Sequence, residues 1–356
     1  MKQFTAFEYV LISIANAYGL DKMLFEDRIQ WCKNQGKKLY QLTNEAEDPA
    51  LYLRGVQELQ RLVAGQTSSN YMMGLDACSS GIQLLACLSG CMTTAAQCGL
   101  VNPNERSDVY TKLADVMNTY LPEDRQIGIN PEGFTRKDLK DPFMVHWYGS
   151  KAAPRNTFGE GSPELIAFYD ACNEMAPGAG ALLGDFLGCI DENRTEYSWV
   201  MPDGFNVFIP VIKKDTVRLR IDELQGASVY FEYKENAPLD YAKANCANVI
   251  HSVDALVLRN MIRRCSYDVN RVEQVSDLLT MRILSQSKAS NELKDAKLEK
   301  LVELAQKNVW IDPIFIDYIT EENVYLLPID IAQKLNNLLS KMLEHEPFDL
   351  ITVHDA

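Results

Sequence analysis

One stretch constrains this chain more than any other: Met73-Gly74-Leu75-Asp76-Ala77-Cys78-Ser79-Ser80-Gly81-Ile82-Gln83-Leu84-Leu85. An apolar entry ends in a single aspartate, a run of small residues follows, and a helical apolar pattern opens at Ile82. A strand-loop-helix junction of this kind presents a carboxylate at a strand end. Hard cations such as Mg²⁺ take oxygen ligands of that type, and small residues let the backbone come close to an ion or a nucleotide. The same residues also describe an ordinary strand-to-helix turn with Asp76 beside the helix start. A short motif cannot decide between the two alone.

The totals narrow the field. At 356 residues the chain fills one large or two ordinary domains. No apolar run is long enough to span a bilayer, and MKQFTAFEYV is neither a secretory signal nor an Arg-rich transit peptide. Nine cysteines without paired metal-type spacing suit a reducing compartment. The net charge of −14 opposes simple nucleic-acid binding, which rests on phosphate neutralisation. A local basic groove, or a partner that supplies basic surface, reconciles the two.

Along the chain, residues 1–44 read as two or three helices, 50–66 as another, and Ile82 to Cys98 as one buried helix. Asp108 to Leu121 has helical periodicity and carries Tyr110. Arg136 and Lys140 stand i, i+4, so one helix face presents both cations, and Tyr148 lies eight residues, about two turns, further on. Such a stripe can clamp a triphosphate and a base: the cations oppose phosphoryl charge and the ring stacks. It is also what a solvated basic face with a surface tyrosine looks like, and Asp138, Asp141 and Pro142 interrupt an ideal helix there.

Residues 163–190 read as helices around Pro177-Gly178-Ala179-Gly180. Two alternating apolar runs around Pro202-Asp203-Gly204 signal a hairpin, and strands continue at 206–212, 216–222 and 228–233. Ala247-Asn248-Val249-Ile250-His251-Ser252-Val253-Asp254 is an apolar entry to a further helix. Residues 289–307 read as a charged helix, and Ile331, Leu335, Leu338, Leu339 and Met342 form a core stripe. The last stretch, Phe348 to Ala356, reads as an apolar strand that delivers His354-Asp355 at its end.

Taken in order, these segments resemble the single-subunit, phage- and mitochondrial-type RNA polymerases. Asp76 to Gln83 resembles the family's first carboxylate motif, with Ala77 where the family has glycine. Arg136, Lys140, Tyr148 and Gly149 resemble its fingers-helix motif. Trp199-Val200-Met201-Pro202-Asp203-Gly204-Phe205, His251-Ser252 and His354-Asp355 resemble three more. The resemblance runs from about Gly19 to Asp355 and departs from the family at residues 266–329, which look like an insertion.

The resemblance implies an α+β fold: a right-hand polymerase palm with mostly helical fingers. The thumb, the N-terminal domain and an upstream palm segment are expected to be absent. It implies palm at 1–104, fingers at 105–250, and palm again at 251–356 around the insertion, with the second carboxylate motif cut short. It implies DNA-directed RNA synthesis in which Asp76, Asp355 and the Ala77 carbonyl hold two Mg²⁺ ions. Arg136, Lys140, Tyr148 and His251 would serve catalysis, and Lys22, Gly81, Tyr110 and Gly149 would bind substrate. Gly81 stands where related DNA polymerases carry a glutamate that blocks a ribose 2′-hydroxyl, so ribonucleotides are expected. DNA template, RNA product and NTPs are the implied partners, in the cytoplasm of a host cell if the gene is a phage's. A second polymerase subunit would supply the missing pieces, this chain resembling the catalytic half of a split enzyme. Two alternatives remain: a non-catalytic remnant that binds nucleic acid or a partner, and a related DNA polymerase, which Gly81 disfavours.

Overall fold

The computed structural model describes residues 3–75, 77–102, 104–121, 133–191, 193–238, 244–285 and 295–353. They form two compact units, Met1–Leu183 and Gly184–Ala356. The molecule is helix-rich with small antiparallel sheets, as an α+β reading requires.

The first unit opens with α1 (Ala6–Ala15), α2 (Phe25–Gln35) and α3 (Pro49–Val63). Their apolar faces bury Val10, Leu11, Ile14, Ile29, Tyr52 and Val56 in one core. Thr5 and Glu8 form a capping box at α1, and Asp48 caps α3 ahead of a proline at its start. Ile82 to Cys98 is not one helix. It is α4 (Ser80–Ser89) and α5 (Met92–Gln97), because Gly90 takes a left-handed φ of 63° and closes α4. Helices α6 (Val109–Tyr120), α7 (Arg136–His146), α8 (Ala152–Phe158), α9 (Pro163–Met175) and α10 (Pro177–Gly188) complete the series.

The second unit carries the hairpin expected around Pro202-Asp203-Gly204. Strands β1 (Glu196–Val200) and β2 (Asn206–Pro210) pair antiparallel, Trp199 opposite Val207, and Gly204 takes φ 80° in the turn. A longer hairpin follows, β3 (Ile212–Ile221) with β4 (Ala227–Pro238). Helix α11 (Ala244–Cys265) comes next, then α12 (Val269–Leu284), α13 (Ala296–Asn308) and α14 (Ile329–Leu343). Ile331, Leu335, Leu339 and Met342 are buried with Val275, Leu279, Leu298 and Phe315, so four of the five residues of the expected stripe are core and Leu338 is half-buried against it. The described parts of residues 266–329 therefore pack with α14 around one shared core.

Two expected strands differ. The approach to Asp76, residues 71–75, and the stretch 348–353 both lack regular secondary structure, and neither pairs with a strand among the described residues. An apolar run becomes a strand only when a neighbour takes its backbone hydrogen bonds. Among the described residues no helix is long and apolar enough to cross a membrane.

Candidate active site

Helix α7 owes its start to Thr135 and Asp138. The Asp138 carboxylate accepts hydrogen bonds from the Thr135 backbone N–H (2.9 Å) and hydroxyl (2.7 Å). Those bonds hold its carboxyl below the ordinary carboxylate range. The aspartate that seemed to interrupt this helix in fact caps it. The helix runs through Pro142, and its buried stripe of Leu139, Phe143 and Trp147 faces the core. It ends at His146, so Tyr148 does not continue the face of Arg136 and Lys140. Gly149, at φ 86°, closes the helix while Ser150 N–H reaches the Val145 carbonyl (3.2 Å).

That closing turn places Tyr148 against the start of α4. A Cβ built on Gly81 would lie 3.1 Å from Tyr148 Cζ and 3.3 Å from its Cε1 and hydroxyl oxygen. Ser80 Oγ and the Tyr148 hydroxyl stand 3.3 Å apart and share a hydrogen bond. The first and second motifs therefore meet in space. Gly81 and Gly149 are buried, Tyr148 is half-buried and Lys140 is exposed.

Arg136 is held. Its Nε donates to Asp108 Oδ2 (2.8 Å), and its guanidinium lies over the Tyr110 ring, 5.2 Å from the centroid. Asp108 also caps α6 by accepting from Tyr110 N–H (3.1 Å) and Thr111 N–H (3.4 Å). Burial raises the Asp108 pKa, but the Arg136 hydrogen bond and charge outweigh it and hold the carboxyl below its ordinary value. Tyr110 is enclosed rather than open to a ligand: it is 5% exposed and meets Phe143 edge-on at 5.7 Å. Its hydroxyl donates to the Cys78 carbonyl at 3.5 Å, inside the first motif.

Lys22 is exposed in the turn before α2, and its carbonyl accepts from Arg106 Nη1 (2.6 Å). Buried Arg28 fixes that turn by donating to the Met23 carbonyl and to Asn16 Oδ1, both at 2.7 Å, and to the Asp21 carbonyl. Ala77 is exposed. Asp76, His354 and Asp355 lie outside the described residues, so the structure does not bring the two carboxylates together or hold them apart. Among the described residues no cluster of three or more His, Cys, Asp or Glu side chains could hold a metal ion.

In the second unit, His251 is exposed on α11. The helix starts at Ala244, so His251-Ser252 lies within it and not ahead of it. Ser252 Oγ donates to the Val249 carbonyl (2.7 Å) and accepts from Trp199 Nε1 (3.1 Å), which joins two of the sequence motifs. Sequence reasoning missed the network beside it. Buried Asp203 accepts from Arg259 Nε (2.7 Å), Arg259 Nη2 (3.1 Å) and Arg263 Nη1 (3.0 Å). Burial pushes the Asp203 carboxyl up, and the two guanidinium groups more than reverse it. Arg263 Nη1 also donates to Asp312 Oδ1 (2.9 Å), and Asn260 Nδ2 to Asp312 Oδ2 (2.6 Å). Two arginines at i, i+4 on a helix were the available signal.

Within the first unit, the turn after α7 and the start of α4 meet through Tyr148, Ser80 and Gly81. Residues 3–157 match the family model for DNA-dependent RNA polymerase, a span that holds Lys22, Asp76, Gly81, Tyr110, Arg136, Lys140, Tyr148 and Gly149. The resemblance to single-subunit RNA polymerases thus has independent support. Among known proteins, the chain is similar to the DNA-directed RNA polymerase of Pseudomonas phage phiKMV, 23% identical over 322 residues. That alignment takes in 76% of this chain and 39% of the phage protein, so the chain spans about two fifths of that relative's length.

Proposed function

We propose that this chain carries the palm and fingers parts of a DNA-directed RNA polymerase, which adds ribonucleotides from NTPs to an RNA 3′ end on a DNA template. The observation that carries this reading is the meeting of Gly81 and Ser80 with Tyr148, since it unites the two motifs that a nucleotide would have to touch.

Each residue then has a physical task. Gly81 offers no side chain toward a ribose 2′-hydroxyl, and the Tyr148 ring closes that space from the other side. Lys140, exposed on α7, presents its ammonium to a leaving phosphate, where a cation lowers the cost of developing negative charge. Arg136 acts chiefly through Asp108 and Tyr110, keeping the Cys78 carbonyl, and so the first-motif loop, in place. Lys22 stands on a turn made rigid by Arg28 and Arg106. By resemblance, His251 belongs at the sugar of the incoming nucleotide.

The donor set of Asp76, Asp355 and the Ala77 carbonyl is all oxygen, which suits Mg²⁺. Bound there, two such ions would supply an activated 3′-hydroxyl and stabilisation of the leaving pyrophosphate. The net charge of −14 favours a partner polypeptide that brings basic surface to the template.

Primer extension on an RNA–DNA hybrid with Mg²⁺, given NTPs or dNTPs, tests the reading. Incorporation of NTPs that is abolished in Asp76→Asn, with template binding retained, is the expected result. A folded complex that incorporates neither nucleotide set would overturn it.

A further inference from the structure

The body formed by residues 266–329 has no counterpart in the motifs that carry the polymerase reading, yet one of its buried carboxylates grips the helix that carries His251. Asp312 is 2% exposed and sits at the head of a short 3₁₀ turn, Pro313–Asp317. Its Oδ1 accepts from Ile314 N–H (2.8 Å) and from Arg263 Nη1 (2.9 Å), and its Oδ2 accepts from Asn260 Nδ2 (2.6 Å). Arg263 is shared: the same Nη1 donates to Asp203 in the hairpin turn.

Ser252, Arg259 and Arg263 fall on one stripe of α11, since steps of seven and four residues return to nearly the same side of a helix. The hairpin holds that stripe at three points, through Trp199 on Ser252 and through Asp203 on both arginines. Asp312 holds it from the 266–329 body. A helix gripped along one stripe by two buried carboxylates cannot turn about its axis without leaving charge unpaired, which is costly in a buried setting. His251 is one residue, about 100° of rotation, from Ser252.

We propose that Asp312 is a positioning residue: through Arg263 and Asn260, the 266–329 body sets the rotation of α11 and so the direction in which His251 faces. The placement of His251 at a nucleotide rests on the polymerase reading; the grip on α11 does not. Asp312 thus adds a hold from the 266–329 side to the three that the hairpin supplies.

The competing account is that Asp312 merely caps its own turn. Asp312→Asn separates the two, because asparagine caps a helix start about as well as aspartate. It keeps the Ile314 bond and leaves Arg263 paired with Asp203, while the charge that grips α11 is lost. The full chain would be compared with Asp312→Asn by amide hydrogen exchange and by the His251 ring resonances, one of four histidines to assign. Exchange at 249–256 is expected to rise at least tenfold, with α12 and α14 unchanged and the His251 signals shifted. Faster exchange confined to 312–319 or to α12–α14, or no change at all, would overturn the proposal. In primer extension the variant should raise the KM for NTPs several-fold more than it lowers kcat; an unchanged KM beside a loosened α11 would also count against positioning. If the wild-type chain incorporates no nucleotide, the polymerase reading fails, and the exchange and resonance data still decide this one.

Discussion

Tyr148 lies on Gly81, 3.1 Å from where a β-carbon would be. The glycine is needed for space and not for backbone freedom: it sits in the first turn of α4, where any residue could adopt the helical backbone. Contacts of 3.0–3.4 Å force the neighbour to yield by a few tenths of an ångström. Tyr148 is half-buried in a closing turn, so its ring is the part that moves.

Gly81→Ala should therefore shift the ring more than it disturbs the fold. Alanine in a helix gains up to about 1 kcal/mol over glycine, which offsets the overlap. Tm is expected to stay within a few degrees while the ratio of kcat/KM for ribo- over deoxynucleotides falls several-fold. Gly81→Glu should lower NTP use more than dNTP use. Tyr148→Phe keeps the packing and removes the bond to Ser80, a loss of about 1 kcal/mol. An unchanged ribo-to-deoxy ratio in both Gly81 variants would take Gly81 away from the sugar.

Much of this was legible beforehand, and the exceptions have physical causes. Motif order pointed to α4 and α7, and turn chemistry pointed to the β1–β2 hairpin, because small residues and Pro-Asp-Gly leave local marks. The end of α7 was not legible: Gly149 closes it by a left-handed turn that a count of eight residues does not show. Asp138 by itself looks like a helix breaker; bonded to Thr135 it is a cap. Arg136 looked like a free cation because Asp108, on another helix, is far away in the chain. Asp203, Arg263 and Asp312 come from three separate segments, and only the folded chain joins them.

The Arg136–Asp108 pair gives a pH-dependent prediction. The Asp108 pKa is lower in the folded chain than in the unfolded one, so the pair stabilises above the unfolded value near 4. That stability is lost as pH falls through the folded value. Arg136 is about a third exposed, so solvent screens the pair and its worth is about 1 kcal/mol. Arg136→Gln should lower the urea midpoint at pH 7 and have a shrinking effect as pH falls below 4 towards the folded value, beneath which Asp108 is protonated in both states. An equal loss at both pH values would mean that Arg136 acts by packing on Tyr110 alone.

His146 sets a second pH dependence, of the same sign but from a different cause: burial disfavours its charged form. It ends α7 between Trp147, Phe168 and Tyr169, with ring centroids 4.8, 5.8 and 5.5 Å away. Burial, and then the charge of Lys151, push its pKa down to about 4. In the unfolded chain a histidine titrates near 6.5. Between those values the unfolded chain binds a proton that the folded chain does not, so stability rises with pH across that window and is lost as pH falls. Tyr148 is two residues further on, so acidification should loosen its seat on Gly81 before the fold as a whole gives way. His146→Phe keeps a ring in the aromatic cluster and removes the titration. Thermal denaturation at pH 7 and pH 5 should show a drop in the wild type that is largely absent in the variant. A drop of equal size in both would assign the effect to other groups.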